Sequence, residues 1–282
     1  MTEDKMMLQD KVRVLDSFLK DLKSYLIAFS GGVDSTFLLY HTARLKKIRF
    51  AAITVRTMYI PKREIDEAAD FCKKYGIEHT ILDISFPEEI RYNPIERCYL
   101  CKTLLFNHIK KVAEENHFLN IVDGTNADDN GDFRPGLKAL SEMGIKSPLM
   151  ESGLIKSEIR ELSRIAGLPT FDKPAYACLL TRIPYTTKVT ERDLRMIEEA
   201  EQYLFEKGFF GSRVRMHGDV ARIECMPGYI GKIVQDPERE HIINNLKKIG
   251  FRFISLDLEG YRTGSLNPDK NINDGKGTSE YS

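Results

Sequence analysis

Little in this chain of 282 residues commits it to a polyanion, a membrane or an oxidising compartment. Lys plus Arg equals Asp plus Glu at 42 each, so no net charge draws it to nucleic acid or to an acidic membrane surface. No apolar run approaches the roughly 18 residues of a membrane span. Met1-Thr2-Glu3-Asp4-Lys5 does not begin a signal peptide, and a cytoplasmic location is expected. The six histidines show no metal-ligand spacing. A Walker A phosphate loop is absent. In a reducing compartment five cysteines do not make a disulfide framework, so each is buried filler, a metal ligand or a reactive thiol.

What is present begins with Ser30-Gly31-Gly32-Val33-Asp34-Ser35, between the strand-like run Tyr25 to Phe29 and an amphipathic helix containing Phe37, Leu38 and Leu39. Paired glycines let the backbone aim several N–H groups at one point, and a helix start adds its dipole, which makes an anion cradle suited to polyphosphate. The run resembles the SGGxDS signature of the PP-loop ATP pyrophosphatases. That resemblance implies ATP bound at the carboxyl ends of a doubly wound parallel sheet, cleavage between the α and β phosphates, and adenylation of a substrate. Asp34 suits Mg²⁺, which takes one or two carboxylates beside phosphate oxygens.

Apolar periodicity predicts an opening helix from Asp4 to Leu22, strands at Arg49 to Val55, Glu78 to Ile84 and Phe118 to Val122, and helices from Pro61 to Gly76 and Lys102 to Asn116. Strands alternating with helices argue for an α/β fold with a parallel sheet. A Pro-interrupted linker holds the C-x-x-C of Cys98 and Cys101. Asp123 to Asn130, with Gly124, follows a strand and reads as a ligand-facing loop. Phe133-Arg134-Pro135-Gly136-Leu137-Lys138 adds two cations. A helix from Ile155 to Ala166 points Ile155, Ile159, Leu162 and Ile165 inward and carries Lys156 and Arg160 on another face. After an irregular stretch from Thr170 to Thr187 the pattern changes to a smaller α+β region. The expected organisation is a PP-loop domain over 1–187, a C-terminal α+β domain over 188–266 and a disordered tail over 267–282.

Leu154-Ile155-Lys156-Ser157-Glu158-Ile159-Arg160 resembles a segment of several PP-loop enzymes whose lysine contacts pyrophosphate, which makes Lys156 the candidate for neutralising the leaving group. For the cysteines three readings compete: zinc, a redox pair, or a [4Fe-4S] cluster on Cys98, Cys101 and Cys178. A three-thiolate cluster leaves one iron open to hold sulfide, which favours sulfur insertion. Cys72 and Cys225 fall in patterned segments explained by packing.

Asp132 to Leu140, Lys173 to Tyr185, Arg213-Val214-Arg215 and Asp219 to Glu224, together with the phosphate loop, resemble the LarE family over about Leu22 to Leu266. These are ATP-dependent sulfur transferases of nickel-pincer nucleotide biosynthesis. The resemblance implies a small nucleotide substrate, pyridinium-3,5-biscarboxylic acid mononucleotide, whose carboxylates become thiocarboxylates. It implies either sulfur from the residue matching Cys178 or a cluster held by Cys98, Cys101 and Cys178. It also implies a homo-oligomer, with other proteins of the same biosynthesis as partners. Arg213 and Arg215, alternate on an expected strand, share a face suited to the substrate phosphate, with Glu224 as tether and Arg182 as a third cation. An Fe-S dependent tRNA thiolase is the alternative, which the neutral composition disfavours.

Overall fold

The computed structural model describes residues 3–131, 135–174 and 177–262. The expected tail, Asp132, Phe133, Arg134, Ala175 and Tyr176 lie outside them. Among the described residues the chain forms two compact units: one runs to Leu179 and includes Lys188–Glu191, the other comprises Leu180–Thr187 and the chain from Arg192.

The first unit is built on β1 (Ser24–Ala28), β2 (Arg49–Arg56), β3 (His79–Asp83) and β4 (Asn120–Val122). They lie in the order β3-β2-β1-β4, all parallel, with Ile27 opposite Ala52 and Leu26 opposite Ile121. Parallel strands need crossovers, and the helices that make them cover both faces. Alternation along β1 sends Tyr25, Ile27 and Phe29 to one face, where Leu15 and Leu19 of α1 (Glu3–Leu22), Phe37 and Leu38 of α2 (Val33–Ala43) and Ala68 and Phe71 of α3 (Lys62–Tyr75) pack. Leu26, with Ala51 and Ile53 of β2, meets Phe106 and Ile109 of α4 (Arg97–Glu115) and Leu140 of α5 (Pro135–Glu142) on the other. After α6 (Pro148–Glu151), α7 (Lys156–Ile165) returns to the first face through Ile159.

Strand order reverses between β1 and β4, the topological switch point where open α/β sheets bind ligands beyond the strands' carboxyl ends. The loops leaving there are the glycine pair and the segment from Asp123.

The second unit carries β5 (Arg213–His217), antiparallel to β6 (Val220–Glu224), which is parallel to β7 (Phe253–Leu256). Its helices are α8 (Glu191–Glu206), α9 (Pro227–Ile233) and α10 (Glu238–Ile249), with Ile197, Leu204, Val214, Ile223 and Leu246 among the buried side chains. No helix among the described residues is long and apolar enough to cross a membrane.

Two local expectations need correction. The C-x-x-C is not in a linker: α4 begins at Arg97 and takes in both cysteines, whose three-residue spacing puts them on one helix face. Ile165 does not face inward but is 67% exposed. At 3.6 residues per turn it falls at the edge of the stripe through Ile155, Ile159 and Leu162.

Candidate functional site

The phosphate loop folds as its composition requires. Gly31 has φ +70°, and a Cβ there would stand 3.3 Å from the Glu64 carbonyl oxygen and 3.4 Å from Ala68 Cβ of α3. Gly32 caps α2, the Thr36 amide donates to its carbonyl at 3.0 Å, and the Ser30 and Ser35 hydroxyls lie 3.0 Å apart. From the β4 side Gly124 closes on the loop so tightly that a Cβ would come within 2.8 Å of the Ser35 amide nitrogen. Ser30, Gly31, Gly32, Asp34, Ser35 and Gly124 thus come together at the amino end of α2, where amides and helix dipole favour an anion.

Asp34, in the first turn of α2, receives the Lys156 ammonium at 2.5 Å and the Asn126 amide at 3.2 Å, both on Oδ2. Its Oδ1 is buried without a partner among the described residues. Carboxylate oxygen is the donor that Mg²⁺ prefers, so the residue fits the ion that ATP carries. Lys156 is fixed by position: its amide donates to Asp128 Oδ2 at 2.8 Å, while Glu158 accepts from the Ile155 amide and from Lys11 Nζ at 2.7 Å.

Two adjoining cavities open here. A polar one of about 380 Å³ is lined by the phosphate loop, Asp123, Gly124, Thr125, Lys102, Lys156 and Lys173. An apolar one of about 270 Å³ is lined by Ile53, Val55, Ile60, Ile65, Leu105, Ile109 and Cys178. Ala28, Ser30, Glu64 and Phe106 border both. Phosphates suit the first and a flat aromatic base the second.

The thiols are gathered by a residue that sequence reading missed. Tyr59, fully buried in the turn after β2, lies with its hydroxyl 3.3 Å from Cys101 Sγ, and its carbonyl accepts the Leu179 amide at 2.8 Å. One side chain and its own backbone therefore hold both cysteine-bearing segments. Burial pushes the Cys101 thiol up to about 12; the Tyr59 hydroxyl and Lys102 act against this, while the charges of Cys178 and Cys98 add to it. Burial, followed by the charge of Cys101, raises the Tyr59 phenol. Cys98 and Cys178, the other two cysteines named from sequence, are thus each within Coulombic reach of Cys101. Among the described residues no three His, Cys, Asp or Glu side chains converge on a single point as one metal ion requires. A cluster differs in that each thiolate takes its own iron, and three soft thiol donors fit that group. Cys72 and Cys225 are buried.

Lys173, which opens the segment that carries Cys178, bonds the Gly31 carbonyl at 3.0 Å and Glu67 at 2.6 Å, so it fastens its segment to the phosphate loop. The three arginines belong to the second unit. Arg182 is 1% exposed and meets both Glu201 oxygens at 2.8 and 2.9 Å. Arg215 bonds Glu224 at 2.8 Å, the tether expected from sequence, and the Thr181 carbonyl at 2.6 Å. Arg213 bonds the carbonyls of Gly211 and Ser212 and lies over the Tyr261 ring. Burial would raise the Glu201 carboxyl, but the charge and hydrogen bonds of Arg182, with Arg213 behind it, hold it below the usual carboxylate range.

Comparison with known proteins agrees with this architecture. Residues 24–127 match the family described as queuosine biosynthesis protein QueC. A 7-cyano-7-deazaguanine synthase of Clostridium botulinum is 39% identical, but only over 72 residues, 26% of this chain and 32% of that protein. Other likenesses run nearly end to end. An uncharacterized protein of Synechocystis is 36% identical over 93% of this chain and 98% of its own. The pyridinium-3,5-bisthiocarboxylic acid mononucleotide synthase of Lactiplantibacillus plantarum is 34% identical over 92% and 95%. With that extent of likeness and a PP-loop at the switch point of a parallel sheet, this chain belongs to the LarE family within the PP-loop enzymes.

Proposed function

We propose that this chain is an ATP-dependent sulfur transferase that adenylates the carboxylates of pyridinium-3,5-biscarboxylic acid mononucleotide and converts them to thiocarboxylates. The observation that carries the reading is the shared border of the two cavities: the loop that cradles phosphate and the cavity wall that includes Cys178 meet at Ser30 and Phe106. An activated carboxyl group formed at that border lies beside a thiol without leaving the site, which is what transfer requires.

The loop amides and Lys156 take the charge of the departing pyrophosphate, and Asp34 offers its open oxygen to the magnesium that accompanies ATP. Cys98, Cys101 and Cys178 would hold a [4Fe-4S] cluster, whose contribution when bound is an open iron able to carry sulfide. Tyr59 keeps the two cysteine segments at one distance and donates to the Cys101 sulfur whenever that sulfur is a thiolate. Arg213, Arg215 and Arg182 serve the substrate phosphate in this reading, sharing it with the carbonyl and carboxylate groups they already bond. Similarity over the whole length to a mononucleotide synthase favours this activity over a tRNA thiolase.

The test combines pyrophosphate release with thiocarboxylate analysis. Wild-type protein given ATP, Mg²⁺ and the biscarboxylate is expected to form both. Cys178→Ala should keep pyrophosphate release and lose the thiocarboxylate; absence of substrate-dependent pyrophosphate from wild type would remove the adenylation claim. Iron and sulfide analysis after anaerobic purification reads the cluster separately.

A further inference from the structure

The polar cavity is lined by three lysines in unlike situations. Lys156 is paired with Asp34 at 2.5 Å and Lys173 with Glu67 at 2.6 Å. Lys102 lines the same cavity, yet among the described residues it has neither an ion pair nor a hydrogen bond. The carboxylates of Asp34, Glu64, Asp123 and Asp129 line the cavity too, but none of them bonds Lys102; an ammonium has three donors and no acceptor, so in this position it is satisfied only by an arriving anion or by water. Its stem lies against α5 at Gly136, where a Cβ would stand 2.9 Å from Lys102 Cδ and 3.1 Å from Cε. Glycine at this position leaves open the lane in which the stem runs. Gly136 belongs to the run from Phe133 to Lys138, which the sequence marked by its two cations and by resemblance but to which no role was given.

We propose that Lys102 binds the substrate carboxylate that ATP activates, and that Gly136 is the positioning residue that keeps its stem in place. The proposal rests on the adenylation reading above. The pyrophosphate end of ATP already has the loop amides, Lys156 and Asp34. Lys102 comes instead from the part of α4 that carries Cys98 and Cys101, four residues before Phe106, which borders both cavities. The carboxylate is the group that must lie between the α-phosphorus and the sulfur source. In the step, one carboxylate oxygen bonds to the α-phosphorus, the bond from that phosphorus to the bridging oxygen breaks, and pyrophosphate leaves with the electron pair. Lys102 stays protonated and holds the oxygen that does not attack.

The experiment measures substrate-dependent pyrophosphate release by wild type, Lys102→Met, Gly136→Ala and the double variant, varying the biscarboxylate at saturating ATP and then ATP at saturating biscarboxylate. Lys102→Met keeps the bulk of the stem and is expected to raise KM for the biscarboxylate about tenfold or more, the size of one charge-assisted hydrogen bond, with KM for ATP unchanged. Gly136→Ala should raise the same KM while Tm holds or rises, because alanine is the better helix former and the crowded neighbour is a flexible stem. The double variant should be no worse than Lys102→Met alone, since both act through one ammonium. A loss confined to KM for ATP, unchanged kinetics in Lys102→Met, or losses that multiply in the double variant would each overturn the proposal. Calorimetric titration of the biscarboxylate mononucleotide, without ATP, into wild type and Lys102→Met separates this idea from the reading beneath it. Tenfold weaker binding to the variant upholds the Lys102 assignment even if no pyrophosphate forms, and equal binding sinks it.

Discussion

In the second unit Arg182 and Arg215 each meet a carboxylate of their own unit, Glu201 and Glu224. In the first, among the described residues, Asp34 keeps a buried oxygen without a partner, and Lys102 faces a cavity while bonded to none of the carboxylates that line it. Both places set cations beside carboxylates, but their state of completion differs. A buried pair closed on itself has already met the desolvation cost of both ions and serves the fold first. An incomplete set carries that cost until a ligand arrives, which is the usual condition of a binding site.

That contrast breaks most visibly at the closed pair. Arg182→Met leaves the Glu201 carboxylate without its bidentate partner and should lower unfolding stability by about 3–5 kcal/mol, read from denaturant midpoints. The pair also has a pH signature. The Glu201 carboxyl is held below its usual range, so its stabilisation is present above the unfolded glutamate value and is lost as pH falls through the lowered folded value. Glu201→Gln should flatten that acid limb, in a thermal scan against pH, beyond its overall loss of stability.

At the open set the expected loss is in rate. Lys156→Met should lower pyrophosphate release about 10²–10³-fold, as removal of one preorganised charge-stabilising donor does, with Tm nearly unchanged because Lys156 is partly exposed. Gly124→Ala tests how tightly the β4 loop closes on the phosphate loop. A Cβ 2.8 Å from the Ser35 amide nitrogen forces backbone apart and should cost about 1–3 kcal/mol, seen as weaker ATP binding and a lower Tm together. Gly31→Ala is the mildest: φ of +70° costs an L residue about 1–2 kcal/mol, and the effect should fall mainly on nucleotide affinity, measured by equilibrium titration.

Sequence made some of this legible for definite reasons. The glycine pair has a local cause and a local effect, so Ser30 to Ser35 could be read without the fold, and the alternation of β1 and β2 gave their strands to within about a residue at each end. The start of α4 was missed because Arg97, Cys98 and Lys102 blur its apolar period and Pro94 suggested a longer linker. α5 was not anticipated: its first residues were read only as a continuation of the ligand-facing loop with two cations, although Pro135 stands at the helix's first position. Tyr59 had no local signal at all: its partners, Cys101 and Leu179, come from remote segments, and only tertiary structure makes it a fastening. The arginines of β5 were placed correctly on their strand and given one partner, Glu224, whereas Glu201, on a helix, carries no pattern that marks it as the mate of Arg182.

The fastening at Tyr59 has a consequence for the order of events after synthesis. Its hydroxyl and carbonyl reach segments that follow it far along the chain, and its own place depends on β2 being paired between β1 and β3. An emerging polypeptide therefore lacks the arrangement of sulfur atoms altogether. A cluster of the kind proposed above would therefore be installed only after the sheet has closed, and its occupancy would report that maturation is finished.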